Sequence, residues 1–132
     1  MDKNKMNISQ IERFFSMLLF KKGISDNIFL GTLPATLEST WNNMVLIDCG
    51  TPIFNYNSHG FGSVNIFLYA RPIGASMTKN VQVLNDMEAT FTSVIQSSND
   101  NVYSVKINWH DSGYDSNRNF HYNVINIETI IK

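Results

Sequence analysis

Apolar residues from Ile11 to Leu19 repeat at the spacing of one helix face, with Ile11, Phe14, Phe15, Leu18 and Leu19 on a single stripe. Ser9 and Glu12 ahead of them form the pattern "SQIE", a capping box in which each side chain satisfies the other's backbone N–H. Lys21 and Lys22 suit the negative end of the helix dipole, and Gly23 can take the left-handed conformation that ends the helix. Met17 and Phe20 widen the stripe, so this helix is expected to pack on more than one neighbour.

The pattern then changes period. In 24–43 only Ile28–Leu30 reads as a short strand, because Gly31, Pro34 and several Ser, Thr and Asn residues interrupt anything longer. "MVLID", 44–48, is the short apolar run of a buried strand. "GTPIFNYNSHGFG", 50–62, reads as a long excursion. "SVNIFLYAR", 63–71, alternates on both faces, which suggests a central strand whose second face is covered by a helix or a partner. After the turn "RPIGAS", a second helix is expected to cap at Thr78, with Val81, Leu84, Met87, Phe91, Val94 and Ile95 inward. Tyr103, Val105, Ile107 and Trp109 alternate in one late strand, and Ile125, Ile127, Thr129 and Ile131 in another. "HDSGYDSNRN" between them carries the residues that turns require.

This order predicts an α+β fold: an antiparallel sheet of four to five strands with two helices packed on one face. The 132 residues are expected to form a single domain, 1–132, with 1–7 flexible. Such a chain buries roughly 65–70% of its unfolded surface and needs neither metal nor disulfide to fold. Ten basic and eleven acidic side chains leave a net charge of -1, without the basic excess of a duplex nucleic-acid binder. Cys49 is alone and follows an apolar run, so a buried, inert thiol in a reducing compartment is expected. No stretch has the length of a membrane span, and "MDKNKMNISQ" lacks the apolar region of a signal peptide.

Candidate chemistry concentrates in "NWHDSGYDSNRNFHY", 108–122, which holds His110, Asp111, Ser112, Asp115, Arg118 and His121. Its spacing matches no zinc, calcium or helical two-histidine ligand pattern, so no metal and no cofactor is expected. A triad of Ser112, His59 or His121, and Asp115 can be written down, yet the chain has no strand–elbow–helix "GxSxG" to support it. "HGFGS", 59–63, precedes a strand, so it lacks the helix N-terminus that cradles phosphate. Tyr56, Phe61, Phe67 and Tyr69 could stack bases, with Arg71 the nearby cation.

The succession of an amphipathic helix, "MVLID", "SVNIFLYARPI", the helix "KNVQVLNDMEATFTSVI" and a terminal hairpin through "SGYD" resembles the lambda-type tail-terminator and head–tail joining proteins of tailed bacteriophages. The resemblance spans most of 8–132; regions 24–43 and 50–62 have no counterpart in it. It implies a structural protein without catalytic activity, acting in the host cytoplasm during assembly and then in the virion tail. Its partners would be copies of itself in a ring, a hexamer, together with the tail-tube and head-connector proteins. The ring would stop tube polymerisation and join tail to head. On that reading Tyr56, His59 and Phe61 of one loop, and Asp111, Asp115 and Arg118 of another, form assembly interfaces on opposite sides of the subunit. The alternatives are a small-molecule or peptide-binding α+β module under the 50–62 loop, and a metal-dependent hydrolase centred on 110–121.

Overall fold

The computed structural model describes residues 8–56, 59–98 and 103–131, with backbone alone at 51–56, 59–62, 98, 103, 104 and 129–131. The stretch 1–7, expected to be flexible, lies outside the described residues. Helix α1 spans Ile8–Leu19 and buries Ile11, Phe15 and Leu19, with Phe14 set edge-on against Phe15 at 5.0 Å. Lys21 and Gly23, at φ 56° and 83°, turn the chain out of the helix. Five strands follow: β1, Ile28–Leu30; β2, Asn43–Tyr56; β3, His59–Ala70; β4, Tyr103–Asp115; and β5, Phe120–Ile131. Helix α2, Val81–Ser98, connects β3 to β4.

The strands form one sheet in the order β1-β2-β3-β5-β4, antiparallel throughout except for the parallel pair β1–β2. This is the expected α+β architecture. Both helices pack on one face, where Ile11, Phe15 and Leu19 of α1 and Leu84, Met87, Phe91 and Ile95 of α2 meet Val45, Ile47, Val64, Ile66, Leu68, Ile125 and Ile127. Each such large apolar side chain contributes on the order of 1.5–3 kcal/mol by leaving water. The other face carries Met44, Leu46, Phe67, Tyr69, Phe120 and Tyr122, and Leu33, Leu37 and Trp41 of the irregular 32–42 strap lie across it. The second covering predicted for β3 is thus a loop, where a helix or partner was expected.

Four local expectations need correction. Ser9 lies inside α1, and Glu12 makes no capping box: it is buried, and its Oε2 accepts a hydrogen bond from Cys49 N at 3.0 Å. The strand N–H of Cys49 lies past the end of the short β1 pairing, and Glu12 supplies the acceptor that a longer β1 would have given. At α2 the cap is Asn80, whose Oδ1 accepts from Val83 N at 3.3 Å, because the helix starts at Val81; Thr78 belongs to the turn before it, its carbonyl accepting from Ile73 N. Residues 50–62 are no excursion but the two arms of the β2–β3 hairpin. Two register shifts, between Asp48 and Thr51 and between Thr51 and Phe54, absorb the extra residues. Pro52 is tolerated because β1 does not reach that part of β2. Finally, 110–115 belong to β4, and the turn shrinks to Ser116–Asn119, where Asn119 takes φ 58°.

Candidate assembly interface

Strand geometry decides what "NWHDSGYDSNRNFHY" can do. Successive residues of β4 face opposite sides of the sheet. His110 and Ser112, paired with Ile125 and Asn123, face the helices; Asp111 and Asp115, paired with Val124 and Phe120, face away. His121 is on the helix side opposite Tyr114, four residues along β4 from His110 and therefore roughly 13 Å from it. No group of three or more His, Cys, Asp or Glu side chains converges among the described residues. The written-down triad is likewise dispersed, since Ser112 and Asp115 occupy opposite faces.

Each polar residue of this stretch has local work. Asp115 is the hub of the turn: Oδ1 accepts from Asn117 N at 3.1 Å and Arg118 N at 3.2 Å, and Oδ2 pairs with Arg118 Nη1 at 3.0 Å. Asp111 Oδ1 accepts from Ser112 N at 2.8 Å. The His110 Nδ1 lies 3.6 Å from Glu88 Oε1, which also accepts from Asn123 Nδ2 at 3.3 Å. The His121 ring sits 4.7 Å from that of Tyr114, and its buried Nδ1 has no hydrogen-bond partner among the described residues. Cys49 is buried, its Sγ 3.7 Å from the Ser63 carbonyl.

The six residues expected at interfaces separate into two groups. Tyr56 and His59 pair at the β2–β3 tip, with Phe61 two residues on, while Asp111, Asp115 and Arg118 approach or form the β4–β5 turn at the opposite end of the sheet. The side chains of Tyr56, His59 and Phe61 lie outside the described residues. Phe67 and Tyr69, considered above as base-stacking aromatics, pack beneath the strap, Tyr69 being only 6% exposed. Comparison with protein-family models and with curated proteins gives no match. The case for function therefore rests on the surface.

That surface has two features the residue pattern only hinted at. Large apolar side chains stand exposed in separate places: Met17 and Phe20 at 72% and 62% near the end of α1, with Leu30 on β1, and Ile73, Met77, Val81 and Tyr114 on the opposite side. Met17 and Phe20 were expected to widen the packed stripe of the first helix; both instead face outward, Phe20 just past the end of α1. The second feature is the pair of sheet edges. Among the described residues, β4 is the last strand at its edge and β1 pairs with β2 at Val45–Ile47. Through the registers, Lys106 lies level with Glu128, Ser63 and Thr51, and Tyr103 with Ile131, Gly60 and Asn55. The part of β2 beyond β1 and the first half of β4 are thus at the same height on opposite edges.

Proposed function

We propose that this chain is a structural subunit that assembles side by side with copies of itself into a closed ring, the role of the tail-terminator and head–tail joining proteins it resembles. On that reading it acts at the head-proximal end of a phage tail tube, ending polymerisation and presenting the surface that joins the head. The single observation that carries it is that the outermost stretches of β2 and β4 stand level on opposite edges of the sheet. Strands β2 and β4 run in opposite directions within the sheet. A neighbour placed with its β2 beside β4 therefore meets it antiparallel, continuing the sheet already present. Such a contact joins unlike patches, so it repeats from copy to copy and closes when the rotation between copies allows. Closure also removes the open edges that would otherwise invite uncontrolled pairing.

Light scattering over a concentration series, with negative-stain imaging of each fraction, tests this. Annular particles of uniform size, with a mass that is a fixed multiple of the 15.0 kDa chain, are expected. A single copy at every concentration, both alone and with tail tubes supplied as template, would end the reading.

A further inference from the structure

The helix layer bears on which surfaces meet, and the argument rests on the ring reading above. Helix α1 lies over β1 and β2, and α2 over β3 and β4, so each helix guards one edge of the sheet. Their charges are opposed. Past Glu12, which is buried against β2, α1 and the residues after it carry Arg13, Lys21 and Lys22, all exposed, with Asp26 nearby. Helix α2 carries Asp86 and Glu88 and no basic residue. An open depression beside it is lined by Lys79, Glu88, His110, Asp111, Ser112 and Asn123.

The two surfaces also match in height. Phe20 and Lys21 border Ile28, which pairs with Val45 and is level, across the sheet, with Leu68, Asn123 and Ser112. Glu88 is held at that same level by Asn123. Next to it, Tyr114 hydroxyl reaches Met77 Sδ at 3.7 Å, and both side chains are exposed. A projection of Met17, Phe20 and Lys21 and a polar depression holding Glu88 beside Lys79 and His110 thus stand at one height, on one face, at opposite edges, with the exposed Met77 and Tyr114 two residues along the chain from Lys79 and Ser112 of that depression.

We infer that the α1 end of one copy docks on the α2–β4 edge of the next, with Lys21 directed at Glu88 and Phe20 seated against Met77 and Tyr114. The occupant is a second copy of this chain, because opposite edges of one molecule carry both halves of the fit. Apolar contact supplies the affinity, and the charge pair sets register and orientation.

Charge reversal with light scattering is the test. Glu88→Lys, and separately Lys21→Glu with Lys22→Glu, should each raise the concentration at half-assembly about tenfold or more, and the combined variant should return most of that loss. Because Glu88 also holds Asn123 and lies beside His110, Phe20→Ser serves as a second probe; Phe20 is exposed, so circular dichroism should show an unchanged fold while assembly weakens. Wild-type rings with every variant assembling at the wild-type concentration would overturn this docking surface and leave the ring reading standing. Absence of rings from the wild-type chain, with and without tubes, would remove both.

Discussion

Tyr69 shows most directly how one residue registers its surroundings. Its ring lies among Phe67, Phe120 and Tyr122 beneath the strap. Burial pushes its phenol up to about 12 from 10.0, and the nearby Asp115 carboxylate adds to the rise while Arg118 opposes it. The neutral phenol is the form the fold favours, so this contribution is intact below pH 10 and is lost as pH climbs toward 12. The loss should approach roughly 2 kcal/mol across that window. Denaturant unfolding of the wild type and Tyr69→Phe, compared from pH 9 to 12 (on the order of the window above), checks it: the wild type should fall more steeply. Parallel slopes would show that Tyr69 is not the titrating group. At this scale the sequence was a mixed guide. Stripe positions such as Phe15 and Leu84 were legible from spacing alone, whereas Ser9 and Glu12 fitted a local pattern that a distant strand N–H overrode. Gly113 is another case of distant demand: a Cβ there would come within 2.5 Å of the Tyr122 hydroxyl across the strand pair.

Among elements, the 32–42 strap depends least on regular structure and most on one side chain. Arg71, at the exit of β3, donates from Nε to the Trp41 carbonyl and from Nη2 to the Glu38 carbonyl at 3.0 Å. Its guanidinium also lies 4.6 Å from the Phe120 ring centroid. Replacing it removes the side-chain donor from the Trp41 carbonyl, leaves the Glu38 carbonyl with the Trp41 N–H, and rests the strap on Leu33, Leu37, Trp41 and the Arg71 N–H bond to the Asn42 carbonyl. Arg71→Ala should therefore cost about 1–3 kcal/mol. Hydrogen exchange should quicken across 32–42 well before it does in β3; uniform quickening would mean that the strap and sheet unfold as one. Sequence reading named Arg71 only as a cation near aromatics, because the strap has no period to reveal which face it covers. The same limit explains the β2–β3 hairpin. Gly50, Pro52, Gly60 and Gly62 look like breakers in isolation, and only the free outer edge of β2 and the two register shifts make them compatible with strands. Elements with strict periodicity were readable; those made regular by a neighbour were not.

For the whole molecule, the question is how a sheet with two open edges remains a controlled building block. Part of the answer is in β4 itself. A register shift between Ile107 and Trp109 interrupts its pairing with β5, and Asn108 there donates to Asn126, which in turn donates to Ser63 and Asn65. The irregularity bends the edge below this point and leaves Tyr103–Ile107 as the regular stretch available to a neighbour. That stretch lies level with the part of β2 that β1 does not cover. If a ring forms by sheet continuation, the edge segments 103–107 and 50–56 each gain a strand alongside, while β3 and β5, already paired on both sides, do not. Hydrogen exchange on isolated single copies and on rings should therefore differ in those two segments alone, with protection in the ring greater by about tenfold or more. Contact confined to the helix layer would predict something else: helix amides already bonded within α1 and α2 would change little, and both edge segments would keep exchanging at the single-copy rate. Protection at 103–107 without protection at 50–56 would require a different partner strand on the neighbour, and ring closure through these two edges would fall.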